Sequence, residues 1–241
     1  MRGDPLRLGV VGATGRLGSR IVAECGRRDV PVGFAATRDH WPDGADVTVV
    51  VDASRGHVLP RSAQLCRRAG AALVVCASDL TADAGAIMAN LAREVPVVRA
   101  VNLSVGHWLQ AHLVGIAGRV ARRLPERPRA SVLERHTPAK ADRPSASASA
   151  LAARWTASAG VPVDDVASYR AGHRVSEHRI DLTFEHEALA LHHDVRGLGA
   201  AVYGAMVAAR WAHDAPAGLV EIGELFDRAF LQGFDNQQGV Q

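Results

Sequence analysis

The chain has 241 residues, 48% of them apolar, and its 28 basic and 25 acidic side chains leave a net charge of +3. That is length enough for one large or two small domains with a real core, while the charge is too scattered for a stripe that tracks nucleic-acid phosphates. No apolar run reaches the roughly 18 residues of a membrane span, and the opening lacks the apolar stretch and cleavage site of a secretory signal, so neither a membrane nor a nucleic-acid partner is expected and the location is expected to be cytoplasmic.

Strands are predicted at 6–11, 30–36, 47–51, 71–76 and 95–100, valine-rich runs bounded by Gly, Asp or Pro. Helices are predicted between them at 16–27, 57–69 and 81–93, with only a short connection over 38–46. Strands that are almost wholly apolar are covered on both faces, which predicts an α/β class and a Rossmann-type doubly wound parallel sheet over 1–104. Cys25, Cys66 and Cys76 are too far apart for a zinc knuckle or redox pair and read as buried thiols.

After Asn102 the pattern changes. A helix over 108–124, an alternating strand over 130–136, a helix over 145–158 behind Pro144 and strands at 166–170 and 180–186 are predicted in turn. In the last of these Ile180, Leu182 and Phe184 share one face, and Arg179, Asp181, Thr183 and Glu185 the other. One apolar face per strand predicts a smaller α+β domain with a mixed or antiparallel sheet over 105–197. A helix over 199–212 and a polar tail close the chain, with 198–241 expected to pack back on the first domain.

The first strand runs into Gly12-Ala-Thr14-Gly15-Arg16-Leu17-Gly18, where a helix begins. Glycines at that place allow a tight turn and let a pyrophosphate approach the amides at a helix N-terminus, so a dinucleotide is expected, an ordinary glycine turn being the alternative. The second strand ends Ala36-Thr37-Arg38 without the carboxylate that usually holds the ribose of NAD. Arg38 either meets a 2′-phosphate, favouring NADPH with NADH still possible, or is a solvated loop residue.

Of the 28 basic residues 27 are arginine, and Lys140 is the one lysine. It is either a chance surface survivor or a compact amine kept for proton transfer, which arginine cannot perform. His136 stands where a short-chain dehydrogenase would need tyrosine, four residues before the lysine. The segment Glu134-Arg-His136-Thr137-Pro-Ala-Lys140-Ala-Asp142-Arg-Pro144-Ser145-Ala146-Ser147 instead resembles the signature of the dihydrodipicolinate reductase family, Glu-x-His-His-x-x-Lys-x-Asp-Ala-Pro-Ser-Gly-Thr-Ala. The glycine turn, Val101-Asn102-Leu-Ser104-Val105-Gly106 and Arg170-Ala-Gly172-x-x-Val175-Ser-Glu177-His178 resemble further motifs of that family in the same order, so the likeness runs from about residue 6 to 212.

The resemblance implies hydride transfer from NADPH to a small cyclic unsaturated imine or enamine carboxylic acid, in lysine and diaminopimelate biosynthesis. It implies Lys140 as proton donor with His136 as partner, and Thr137, Lys140, Ser145, Ala146 and Ser147 around the substrate. Ser145 reads as the N-cap of the following helix, whose next amides suit a carboxylate. Gly12, Thr14, Gly15, Arg16, Leu17, Gly18, Thr37, Arg38, Ser54, Cys76, Ser78 and Asn102 are implied to hold the cofactor. A homotetramer, or a dimer, through the second sheet is implied too, and the apolar face of 180–184 is compatible with it.

Several residues depart from the family pattern. Thr137 replaces the second histidine, Cys76-Ala77-Ser78-Asp79 replaces a Gly-Thr-Thr-Gly loop, and Arg196 falls two residues before the arginine of a Ser-Arg-x-x-Phe-Ala stretch. These changes motivate a rival reading, a paralogue acting on another imine or enamine acid; a second rival is a non-catalytic dinucleotide-binding sensor. No metal is expected: His186, His192 and His193 lie on an alternating strand that turns neighbours to opposite faces, and read as surface or satisfied core histidines. Trp108, Trp155 and Trp211 read as core, Arg135, Arg143 and Arg174 either as part of a positive pocket or as solvated side chains, and His57, His107 and His112 as either packing or substrate contacts.

Overall fold

Valine-rich strands set the first layer. The computed structural model describes residues 4–42, 46–173 and 176–231, and the chain divides into two units, Met1–Ser104 with Leu198–Gln241, and Val105–Gly197. In the first unit β1 (Leu8–Val11), β2 (Val32–Ala36), β3 (Val49–Asp52), β4 (Ala72–Val75) and β5 (Pro96–Arg99) are parallel neighbours, with β1, β3 and β4 buried at every position. The helices α1 (Gly18–Arg27), α2 (Leu59–Ala69) and α3 (Ala84–Leu91) follow β1, β3 and β4, and no helix is present between β2 and β3 among the described residues. A sixth strand, β10 (Gly218–Glu221, tenth in the chain), adds parallel to β5 and gives the order β10-β5-β4-β3-β1-β2. The order reverses between β1 and β3, and ligands of open α/β sheets bind beyond the carboxyl ends of the strands at such a point.

The sequence reading stops at a helix over 199–212 and a tail, but β10 and a further helix, α7 (Ile222–Phe230), follow that helix, α6 (Gly199–Asp214). β10 has four residues and contributes one buried valine, Val220, too short a run to stand out as periodic. α6 packs across β3, β4 and β5 through Ala205, Ala208, Ala209 and Ala212, whose small side chains allow a close approach. Residues 232–241, with the polar tail, lie outside the described residues, as do Arg174 and Val175.

The second unit is a four-stranded mixed sheet covered by two helices. α4 (Val105–Ala121) and α5 (Ala146–Ala159) pack on β6 (Arg129–His136), β7 (Asp165–Arg170), β8 (Ser176–Thr183) and β9 (Ala188–Val195), in the order β7-β6-β8-β9. β6 pairs parallel to β7 and antiparallel to β8, and β8 antiparallel to β9. Ala130, Val132, Ile180 and Leu182 join Leu151 and Trp155 in its core. Ile180 and Leu182 are thus buried against helices, and the apolar face of 180–184, compatible by sequence with a contact to a second copy, is taken up inside the unit. β8 also starts at Ser176 and ends at Thr183, because Phe184 turns the chain by donating its amide to the Glu187 carbonyl at 2.8 Å.

Register then does what composition cannot. Partners across a sheet point to the same face, and Ser168, Glu134, His178 and His193 are successive partners across β7, β6, β8 and β9. The face that is apolar at Val132 and Ile180 becomes polar one step further along. Among the described residues no helix is long and apolar enough to cross a membrane.

Candidate active site

The glycine turn after β1 is shaped by backbone geometry. Gly12 has a φ of +75°, which favours glycine, and accepts a hydrogen bond from the Gly15 amide at 2.9 Å. Gly18 opens α1, and a Cβ there would stand 2.2 Å from the Gly12 carbonyl oxygen. The first turn of α1 carries no acidic residue and no capping side chain; its Ser19 and Arg20 amides donate to the Gly15 and Leu17 carbonyls at 3.0 and 3.1 Å, and the positive end of the helix dipole favours an anion.

Beyond this turn lies a cavity of about 810 Å³. Of the expected cofactor residues, Gly12, Thr14, Gly15, Arg16, Leu17, Thr37, Arg38, Ser54, Cys76 and Ser78 line it. Gly18 is buried and not among its lining residues, and Asn102 is instead engaged with the Ser104 amide, which donates to its side-chain oxygen at 3.1 Å. The walls also contain Trp41, Arg55, Arg61 and Leu198, which no motif marks, together with His57 and with Asp79 of the Cys76–Asp79 loop. The Arg61 guanidinium carbon lies 4.1 Å from the centre of the Trp41 ring, a cation–π pair. Leu198 occupies the wall, whereas Arg196 is exposed and bonds Asp194 at 3.1 Å.

Four guanidinium groups, Arg16, Arg38, Arg55 and Arg61, face one carboxylate among the described lining residues. That carboxylate, Asp79, accepts the Gly56 amide at 3.0 Å and lies 3.5 Å from the Arg55 guanidinium. The Gly56 amide first, and then Arg55, hold its carboxyl below the usual value. The Cys76–Asp79 departure therefore ties a loop to the turn at Gly56 rather than adding an uncompensated charge. Beneath the wall Asp52, 1% exposed, accepts the Ser54 amide at 3.0 Å and the Ser62 hydroxyl at 2.7 Å, which fixes Ser54. These features fit a dinucleotide: a cradle closed to Cβ atoms, a helix N-terminus without an acidic residue and an excess of cations among the lining residues.

In the second unit the site grows from Glu134, completely buried at the polar end of β6. Its carboxylate accepts the Ser145 amide at 3.0 and 3.2 Å, the Ser168 hydroxyl at 2.6 Å and the Arg170 guanidinium at 2.9 Å, with His136 Nε2 at 3.2 Å. Burial alone would raise its pKa, but the bonds from Ser145, Ser168 and Arg170 outweigh it and lower the value to about 2. Arg170 also donates to the carbonyls of Lys140, at 2.9 Å, and Asp142. One carboxylate and one guanidinium thus hold both ends of the loop 137–145.

That loop displays the expected substrate residues. The Lys140 amide donates to the Thr137 carbonyl at 3.1 Å, and its ammonium, 34% exposed, lies 2.9 Å from Asp142 Oδ1. Lys140, more than any other group, holds the Asp142 carboxyl below the usual value. Ser145 caps α5, its hydroxyl accepting the Ala148 amide at 3.2 Å, and the first turn of α5 has no acidic residue. The Ser145 amide itself goes to Glu134, and the positive end of the α5 dipole lies at Ala146 and Ser147. The structure places Thr137, Lys140, Ser145, Ala146 and Ser147 on this loop and helix start, with His136 on the strand that leads in.

His136 meets the edge of His178, ring centroids 5.1 Å apart, and His178 Nε2 stands 3.4 Å from the Ser145 hydroxyl. Burial, then His107, His136 and His193, push His178 down to about 3, and burial with His193 takes His107 to about 4. Both are neutral near pH 7. Nothing singled out the shared duty of Glu134, Arg170 and His178 beyond their positions in motifs, because it depends on long-range register. Among the remaining candidates, Arg135 is bound to Glu177 at 2.8 Å, His186 is exposed, His192 meets Glu177 at 3.0 Å and Trp155 is core, while Trp108 and Trp211 are partly exposed.

Known proteins are similar to this chain in sequence and in fold. A family model described as "Dihydrodipicolinate reductase, C-terminus" matches residues 111–226. The 4-hydroxy-tetrahydrodipicolinate reductase of Myxococcus xanthus is 31% identical, across 90% of this chain and 88% of that protein. The enzyme of the same name from Gluconobacter oxydans is 30% identical, across 92% and 97%. In fold, the chain is similar to a dipicolinate-bound dihydrodipicolinate reductase from Paenisporosarcina sp. TG-14, with a TM-score of 0.73 at 16% identity over 90% of this chain and 98% of that one. With the likeness to its relatives running over almost all of its length, and the loop around Lys140 built on the residues that carry the signature, this chain belongs to the dihydrodipicolinate reductase family.

Proposed function

We propose that the protein is an NADPH-preferring reductase that delivers hydride to a small cyclic imine or enamine carboxylic acid, the 4-hydroxy-tetrahydrodipicolinate of its relatives. The observation that carries this reading is the placement of the chain's one lysine on a loop anchored at both ends to a buried Glu134–Arg170 pair. A bound dihydronicotinamide supplies the hydride. The protein supplies the rest.

The N-terminus of α5 receives a substrate carboxylate, where amides and helix dipole favour an anion. Lys140, its ammonium 2.9 Å from Asp142, gives its proton to the position where reduction leaves negative charge, with His136 at the end of the strand that leads into the loop. Arg38 stands in the wall of the nucleotide cavity at the end of β2, where it can pair bidentately with a 2′-phosphate.

The direct test follows NADPH absorbance with freshly generated dihydrodipicolinate. Turnover supports the reading. Tight NADPH binding without turnover sinks the substrate assignment and favours the paralogue, to which Thr137 in place of histidine already points. A protein that binds NADPH yet reduces no imine acid is a sensor. In the same titrations Arg38→Ala is expected to weaken NADPH by about 10- to 100-fold, the loss of one charge-assisted hydrogen-bonded pair, and to leave NADH within about threefold. Equal losses for both cofactors would remove Arg38 from the 2′-phosphate.

A further inference from the structure

We propose that His107, His178 and His193 are the protein ligands of a site for one divalent transition-metal ion of the zinc class, built into the second unit and independent of the reductase reading. The three come from separate elements: the first turn of α4, the middle of β8 and the end of β9. Each offers a ring nitrogen, and these nitrogens lie within 4.8 Å of one another.

The spacing fits a metal better than ordinary packing requires. Imidazoles on a tetrahedral ion, with bonds of about 2.05 Å, put their nitrogens about 3.3 Å apart and their ring centroids about 5.2 Å apart. The observed centroids stand at 5.4 Å for His107–His178, 6.0 Å for His107–His193 and 6.2 Å for His178–His193. The triangle is wide by at most about an ångström, which turns of about 10–15° at χ1, within the staggered wells, close, while χ2 sets the direction of the nitrogens.

Independent features hold the frame. Gln110, three residues after His107 and therefore on the same side of α4, donates its side-chain amide to the carbonyls of His178 and Leu191, each at 2.9 Å. That pins the start of α4 over β8 and β9. His178 is 3% exposed, its Nε2 is occupied by the Ser145 hydroxyl at 3.4 Å, and its Nδ1 has no hydrogen-bond partner. One nitrogen oriented by an outer partner and the other left as a lone pair is how histidine ligands are arranged. Burying such a nitrogen unsatisfied is costly, and a cation accepting the lone pairs offsets that cost. A set made of imidazoles without carboxylates suits zinc, copper or nickel rather than magnesium or calcium.

A second grouping, Glu134 with His136 and His178, is equally compact, but Glu134 is committed to Ser145, Ser168 and Arg170 and cannot turn. His192 looks to the other face of the sheet, against Glu177. An ion at the three histidines ties α4 to β8 and β9, in addition to Gln110.

The test is Co²⁺ titration of the full chain in the absence of NADPH and substrate, so its outcome is separate from that of the reductase assay. One equivalent is expected, with the intense visible bands of tetrahedral cobalt, displaced by Zn²⁺. His107→Ala and His193→Ala are expected to weaken uptake by about 100-fold or more, and His192→Ala to retain it. Absent bands, or affinity unchanged in the first two variants, overturns the site. Should those variants fail to fold, ring-nitrogen NMR of the unaltered protein decides: Zn²⁺ must shift nitrogens of His107, His178 and His193, and shifts confined to exposed histidines such as His186 refute the proposal.

Discussion

Lys140→Ala is expected to lower kcat by about 10²- to 10⁴-fold, the usual contribution of a positioned acid, and to leave cofactor affinity within about twofold. The nucleotide cavity is lined by residues of the first unit and Lys140 belongs to the second, so the cofactor side should not register the change. Stability should not register it either. The ammonium is 34% exposed and its partner Asp142 53%, a pair of the kind that contributes about 0–1 kcal/mol. Lys140→Arg should fail almost as badly, since a guanidinium keeps its charge but does not release a proton near neutrality. Partial recovery of the alanine variant by added methylammonium would show that a missing proton donor, rather than a misplaced loop, limits the rate. Unchanged turnover in Lys140→Ala removes the assigned role.

Much of this site can be read from local sequence, because its signals are local. The glycine turn after β1 and the Ser145 cap behind Pro144 each depend on a few adjacent residues. Alternation also shows that Val132 and Ile180 face a core. What local pattern cannot show is which strand lies beside which, or in what register. Glu134 was legible as a signature residue, yet its bonds reach Ser168 on β7 and Arg170 at the end of that strand. Likewise the sequence shows Asp79 only as a departure from a loop pattern, and it is the fold that sets Gly56 and Arg55 against its carboxylate. The apolar face of 180–184 was visible, but whether helices or another copy covered it was a tertiary question.

Glu134→Gln is expected to be the most damaging change to the second unit. Arg170, its side chain 2% exposed, is left as a buried cation without its carboxylate, and breaking such a pair from one side costs about 3–5 kcal/mol. The sign of the pH dependence follows from the depressed pKa. A carboxyl held at about 2 stabilises the fold fully above its ordinary value and loses that contribution as pH falls towards 2. The difference between wild type and variant, measured by denaturant unfolding of the second unit, should therefore be flat above about pH 5 and shrink below it. A difference that grows with acid contradicts the ion pair. The double variant Glu134→Leu with Arg170→Leu separates stability from positioning. Apolar replacement of both members of a buried pair is often neutral, so much of the lost stability should return. Activity should not, because the Ser145 amide and the carbonyls of Lys140 and Asp142 still lack the groups that fix them. Recovery of both together would mean that the loop holds its shape unaided, and that Glu134 and Arg170 serve the fold alone.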